Sequence, residues 1–353
     1  LSKQIQVALQ GMAQASVVVV NWNRCSLLDR CLASLSAQRA PAFEVILVDN
    51  GSSDGSVEMA ISRYSRDPAF TLTIIRNREN FGFCKANNQG IDRAQSEYIA
   101  LLNNDAEAEP DWLASLLGAF EGRPELGMAA SKILVHEDPG TIDKAGHQIY
   151  PDGQNWGRGH GESDIGQYEE VEETLWPDGC AAMYRRSMLR EIGGFDEDLF
   201  AYGDDAELGL RARIAGWGCL YIPTAVVRHH RGSTLGRLSA RRVELIERNR
   251  VLLALKHFPW SLLCLNGAYF IARLGAGVVA AATGKGESGQ FPGWRGKLLL
   301  IRAICSADWQ ALRMAPSTLR KRWAFRPKRK LSRSELKSLL LRHRVPLWKM
   351  MGG

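Results

Sequence analysis

YIALLNNDAEAEPDWL, residues 98–113, turns abruptly from an apolar run, Tyr98 to Leu102, to the amides and carboxylates of Asn103, Asn104, Asp105 and Glu107. A short apolar run closed by polar turn residues reads as a buried strand opening into a loop. The same figure occurs upstream. SVVVV (16–20) opens into Asn21-Trp22-Asn23, and FEVILV (43–48) opens into Asp49-Asn50-Gly51-Ser52-Ser53-Asp54-Gly55-Ser56. Leu72 to Ile75 reads as a further strand, while Leu27, Leu28, Cys31, Leu32 and Leu35 recur at helical spacing. Strands alternating with helices imply crossover units on a mostly parallel sheet. Open sheets of this kind bind ligands beyond the carboxyl ends of their strands, where these polar loops stand.

Farther along, residues 140–178 are rich in Gly, Asp and Glu and read as loops and short strands attached to the sheet. Gly179 to Tyr184 reads as another strand and Met188 to Ile192 as a short helix. Asp205 to Ala215 reads as a helix entered through acids, which suits its dipole. Gly218 to Ile222 reads as a strand that Pro223 ends. After Leu238 the chain becomes helical and basic.

The 353 residues, 45% hydrophobic, have room for one large α/β domain with an appendage. Charge is unevenly spread: residues 1–240 carry 22 Lys/Arg against 33 Asp/Glu, and residues 241–353 carry 23 against 5. The expected division is an N-terminal extension (1–15), a catalytic domain (16–240) and a basic helical region (241–353). A basic tail suits nucleic acid, anionic lipid or a pyrophosphate-bearing substrate. Seven cysteines without C-x-x-C spacing fit reduced thiols and no zinc site. LSKQIQVALQ at the start lacks a charged segment followed by an apolar one, so no secretory signal is expected.

Four groups of residues offer chemistry. In VDNGSSDGS, Asp49 suits hydrogen bonding to a base or ribose, and the loop equally suits an Asx-type turn. Asp105 and Glu107, two apart after a strand, suit one hard cation bridging a nucleotide diphosphate; they also suit an acidic helix start with Pro110 in the first turn. Asp204-Asp205 before a helix suits proton removal from a hydroxyl, or a solvated cap. His229 and His230 in VVRHHRGST suit metal coordination, or a surface pair beside Arg.

Taken in order, SVVVVNWNR, VDNGSSDGS, NFGFCKANNQGI, LLNNDAEAEPDWL, GCAAMYRRSMLREIGGFDEDLFAYGDDAELGLRARIAGW and VVRHHRGST resemble the inverting family 2 glycosyltransferases with the GT-A fold. Within that family the chain is most similar to bacterial rhamnosyltransferase-like enzymes of cell-surface polysaccharide assembly. The likeness runs from about Ser16 to Asn249. It implies that Asp49 contacts the nucleobase, and that Asn21, Asn80, Gly82, Asn104 and Asp105 line the donor pocket. Asp105 matches the first acid of the family's D-x-D motif, with Glu107 where Asp is usual. Asp204-Asp205 stands for the family's E-D pair, with Asp205 matching the catalytic base and Asp204 where Glu is usual. His229 fits the metal-binding histidine slightly better than His230. The implied cofactor is Mg2+ or Mn2+, and the implied donor is dTDP-rhamnose or a UDP-sugar. Trp156, Arg158, Trp176 and Tyr202 suit contact with a sugar or acceptor, and equally suit packing.

Ser261 to Thr283 is long enough to cross a bilayer, for which about 20 residues suffice. Asn266 and Arg273 interrupt it, and a central Arg is costly in hydrocarbon. Trp260 and RKRWAFRPKRK (320–330), with Trp323 and Phe325, favour interfacial attachment to an anionic membrane surface over a full span, and a helix packed on the catalytic domain is the plainer alternative. The expectation is a peripheral or monotopic protein on the cytoplasmic face of the bacterial inner membrane, serving a lipid-linked saccharide. The rival readings are a sugar-phosphate nucleotidyltransferase and a non-enzymatic nucleic-acid-binding module. No aromatic RNA signature or base-reading helix accompanies the basic charge, so nucleic acid is not expected.

Overall fold

A computed structural model describes residues 13–230, 239–282 and 293–345. Most of the expected N-terminal extension (1–12), the RGST part of VVRHHRGST and Thr283 lie outside them. The chain divides into two compact units. One holds residues up to Gly146, Gly157–Phe200 and Trp217–Arg231; the other holds His147–Trp156, Ala201–Gly216 and the chain from Gly232.

The first unit begins with β1 (Ala15–Asn21), α1 (Cys25–Ser36), β2 (Phe43–Asp49), α2 (Ser56–Tyr64), β3 (Phe70–Arg76), α3 (Gly82–Arg93) and β4 (Tyr98–Leu102). β1 pairs in parallel with β2 and β4, and β2 with β3. Near-continuous Val, Ile and Leu suit strands covered on both faces. Gly90 of α3 lets the helix lie close on β1, since a Cβ there would stand 2.3 Å from Val18.

β5 (Ala106–Ala108), α4 (Trp112–Ala119), β6 (Leu126–Val135) and β7 (Ile142–Ala145) follow; β8 (His147–Ile149) and β9 (Asn155–Gly157) make a separate two-stranded sheet. Then come β10 (Glu172–Glu173), β11 (Ala181–Arg185), α5 (Arg186–Ile192), α6 (Asp204–Ile214) and β12 (Gly218–His229). The large sheet runs β10-β12-β6-β11-β4-β1-β2-β3, with β5 on β12 and β7 on β6. β11 is antiparallel to β4 and β6, whereas β12 is parallel to β6. The result is the expected mostly parallel sheet flanked by helices. Its core joins Val17, Val45, Leu32 and Leu47 to Trp112, whose indole N–H donates to Ser131 Oγ at 2.9 Å.

Two features differ from expectation. β6, LGMAASKILV, has nine of its ten residues buried, yet its Met-Ala-Ala-Ser-Lys stretch has little intrinsic strand preference. Pairing along both edges sets its conformation. Pro223 does not end β12. A register shift between Ile222 and Val226 takes Pro223 out of the ladder with β6, and the strand continues to His229.

In the second unit every residue of α6 is buried. Its Glu207 receives Arg211 Nε at 3.1 Å and Nη2 at 2.8 Å, His257 Nε2 at 2.9 Å, and the Lys256 ammonium. Burial favours a neutral carboxyl there, but the charges of Arg211 and Lys256 hold Glu207 well below the usual range. Burial also pushes His257 down to about 4, against the pull of Glu207. The remaining helices are α7 (Ala240–His257), α8 (Trp260–Ala282), α9 (Gly293–Ala324) and α10 (Arg333–Arg342). α9 packs along α7. Among the described residues no helix is long and apolar enough to cross a membrane.

Candidate active site

β1 and β2 end on the same rung, Asn21 opposite Asp49. Asn21 Nδ2 donates to Asp49 Oδ1 at 3.1 Å, and Asn104, just past β4, donates its Nδ2 to Asn21 Oδ1 at 2.7 Å. Ser52 N–H donates to Asp49 Oδ2 at 2.9 Å, closing the Gly/Ser loop over the acid. One buried chain of hydrogen bonds thus joins three strand ends. Beside it Asn50 donates to Asn80 Oδ1 at 3.3 Å and to the Gly82 carbonyl at 3.2 Å, and Gly82 N–H donates to Asn80 Oδ1 at 2.9 Å. Gly82 has φ +85°, and a Cβ would meet Phe200 at 2.5 Å, so only glycine fits.

The four expected metal residues separate into two pairs. Asp105 Oδ1 lies 3.5 Å from His229 Nε2, and His229 Nδ1 lies 2.8 Å from Asp143 Oδ2 on β7. Burial opposes an imidazolium at His229, but Cys180 and the bonds to Asp105 and Asp143 raise its pKa well above the ordinary value. Burial likewise works against the Asp143 carboxylate, and Lys144, His160 and His229 outweigh it, holding the acid well below its usual range.

Glu107 turns instead to His230, with Oε1 at 2.9 Å from Nε2, and to His136, 3.6 Å from Nδ1. The His136 and His230 rings stack at 3.7 Å. One ligand atom from each of the three residues lies within 4.8 Å of the others. His136 Nδ1 is buried without a hydrogen bond. Burial pushes Glu107 up, but His230 and His136 bring it below the ordinary value. Two imidazoles and a carboxylate form a donor set suited to a divalent ion such as Mn2+. His230, not His229, belongs to this cluster.

His136 and Asp143 were not anticipated. His136 follows β6 at the level where His229 ends the parallel β12, and its N–H donates to the His229 carbonyl at 3.0 Å. Recognising β6 as a strand would have exposed it. Asp143 lies in a stretch without periodicity and left no signal.

The second unit carries Asp204 and Asp205, 5% and 8% exposed, in the first turn of α6. The helix dipole favours their ionised forms. Asp205 Oδ1 accepts from Ala206 N–H at 2.7 Å and from Asn155 Nδ2 at 3.4 Å, while Oδ2 lies 3.8 Å from His147 Nε2. Tyr202 is left-handed, with φ +68°, and its carbonyl accepts from Asn249 Nδ2 at 2.7 Å.

Of the other residues expected near a sugar, Trp156 is half-buried and edge-on to Tyr150 at 6.0 Å. Arg158 belongs to the first unit, where it donates to the Ala145 carbonyl, pairs with Glu172 and lies over Tyr168 and Tyr221. Trp176 is fully buried and shows no ring face to a ligand.

Comparison with known proteins gives this arrangement a context. The family model for glycosyl transferase family 2 matches residues 16–193. The chain is 28% identical over 269 residues to an N-acetylglucosaminyl-diphospho-decaprenol L-rhamnosyltransferase of Mycobacterium tuberculosis, covering 69% of this chain and 85% of that one. In fold it is similar to GalNAc-T7 solved with UDP, GalNAc and Mn2+ (TM-score 0.58, 18% identity, 75% of this chain and 51% of that one). It is also similar to the Pyrobaculum calidifontis mannosyltransferase PcManGT solved with GDP-Man and Mn2+ (TM-score 0.53, 17% identity, 90% and 88%). With a family model over half its length and a GT-A architecture at its strand ends, the chain belongs to glycosyl transferase family 2.

Proposed function

We propose that this glycosyltransferase moves a sugar, with rhamnose the first candidate, from a nucleoside-diphosphate donor to a hydroxyl of a lipid-linked saccharide. The reaction inverts the anomeric centre and serves polysaccharide assembly at the cytoplasmic face of the membrane. The bonded chain Asp49–Asn21–Asn104 is the observation that carries the reading, because it aims a buried acid at the end of a parallel sheet where nucleotides bind. The named mycobacterial relative supports the sugar and the lipid-linked acceptor.

In this mechanism Asp49 accepts from the base, thymine or uracil, while Asn50, Asn80 and the Gly82 backbone shape the pocket. Glu107, His136 and His230, with Asp105 alongside, would hold Mg2+ or Mn2+, which supplies positive charge for the departing diphosphate. Asp205 accepts the proton of the acceptor hydroxyl as that oxygen attacks the anomeric carbon. Asn155 and His147 steer its carboxylate. The C1–oxygen bond to the diphosphate breaks as the new glycosidic bond forms on the opposite face.

Thermal unfolding with a panel of nucleotide sugars, with and without Mn2+, tests the donor. Protection by dTDP-rhamnose or a UDP-sugar that depends on the metal is expected. Pyrophosphate release from a nucleoside triphosphate plus a sugar phosphate, without sugar transfer, would overturn the reading in favour of a nucleotidyltransferase.

A further inference from the structure

α9 has two faces. Ala307 and Ala311 are buried, and Ser306 and Gln310 hydrogen-bond Glu244 of α7, which fixes the inward side. Outward stand Trp294, Leu298, Ile301, Trp309, Leu312 and Trp323, between 39% and 71% exposed. At about 100° per residue these six fall within about 80° of arc. Scattered exposed apolar side chains are ordinary, but a continuous stripe marks an interaction surface.

The charge of the helix identifies what that surface meets. α9 carries seven Lys/Arg and a single acid, Asp308. Arg295, Arg302, Arg313 and Arg320 are exposed, and the same helical geometry sets them in one row along a border of the stripe, within about 20° of one another. Two of them lie over stripe tryptophans, Arg295 at 5.5 Å from the Trp294 ring and Arg313 at 5.2 Å from the Trp309 ring. Indoles favour the boundary between water and hydrocarbon, and arginines favour the phosphates just above it. A straight stripe of about 27 Å from Trp294 to Leu312 suits a helix lying in the plane of a bilayer surface.

We infer that α9 is the docking face of this chain for an anionic lipid surface, with its tryptophan stripe at headgroup depth and its arginine row against lipid phosphate. The inference rests on the proposed lipid-linked acceptor and goes past it by naming the face. It extends the attachment from residues 320–330, whose Arg320 and Trp323 lie on this face, to the length of α9, in place of α8.

Flotation of the full chain with vesicles of phosphatidylcholine, alone or mixed with phosphatidylglycerol, tests it. The chain is expected to float with the mixed vesicles and to be released by salt. The triple variant Trp294→Ala/Trp309→Ala/Leu312→Ala and the triple variant Arg295→Glu/Arg302→Glu/Arg313→Glu should each bind about tenfold less or weaker still. Both should melt like the parent and still transfer sugar to a short water-soluble acceptor. Flotation of both variants at the parent level, or no flotation of the parent, overturns the inference. So does loss, in the variants, of self-association by a parent that ignores vesicles, which would mean that the stripe meets a second copy. Flotation needs no sugar transfer, so failure here leaves the catalytic reading standing, and a floating chain without transfer counts against that reading alone.

Discussion

His229 bridges two acids from different parts of the first unit, with Nδ1 2.8 Å from the Asp143 carboxylate and Nε2 3.5 Å from Asp105. The outer bond fixes the ring's orientation, as acceptors behind functional imidazoles commonly do. Asp143→Ala leaves the buried Nδ1 without its partner, and a loss of about 1–3 kcal/mol in unfolding free energy is expected. Asp143→Asn keeps one carbonyl oxygen and should lose less. Denaturant midpoints at constant slope compare the two.

His136 should matter to metal use although no motif contains it. His136→Ala is expected to raise the Mn2+ concentration needed for nucleotide binding at least tenfold, about the lower bound for removing a supporting partner. Titration of Mn2+ at fixed UDP or dTDP, followed calorimetrically, measures it. An unchanged requirement would remove His136 from the ligand set.

Asp205→Asn should lower the transfer rate by roughly 10²- to 10⁴-fold, the usual contribution of a positioned base. Donor affinity should survive. If affinity falls as far as the rate does, Asp205 binds substrate instead of moving a proton.

Acid sensitivity should come from α6 and α7. Glu207 is depressed in the folded chain by Arg211 and Lys256, so its contribution is present above its unfolded value near 4.3 and lost as pH falls through the folded one. His257 is neutral when folded and drops to about 4; its share fades between about 6.5 and that value as the unfolded chain binds the proton first. Both act in one direction. Glu207→Gln takes the carboxylate charge away from buried Arg211 and Lys256 and is expected to cost about 3–5 kcal/mol at neutral pH. Stability measured from pH 7 to 4 should fall less steeply in the variant.

The elements that the sequence revealed were those whose local preference and final surroundings agree. SVVVV, FEVILV and YIALL are β-branched or aliphatic runs that stop at Asn or Asp, and they became β1, β2 and β4 with the polar loops at their carboxyl ends. The acidic start of α6 was legible for the same reason. β6 was hidden because its strand state comes from two neighbours and not from Ala and Ser. The division of Asp105 and Glu107 between different histidines was hidden as well. It depends on the antiparallel rungs of β5 and β12, where His229 stands opposite Ala106, and no spacing along one strand encodes a partner on another. His147 and Asn155, which flank Asp205, sit in a Gly/Asp-rich stretch that has no period to read.

The detour around Pro223 has a corollary for engineering. Its three residues, Pro223 to Ala225, take up chain without advancing the ladder with β6. If a strand-loving residue such as valine replaced the proline and the ladder zipped straight through, His229 and His230 would overshoot by three rungs, about 10 Å. An odd slip would also turn each side chain to the other face. A substitution that tidies this strand would thus carry His229 and His230 away from Asp105, Glu107 and His136, and the residue that looks like a flaw acts as a spacer.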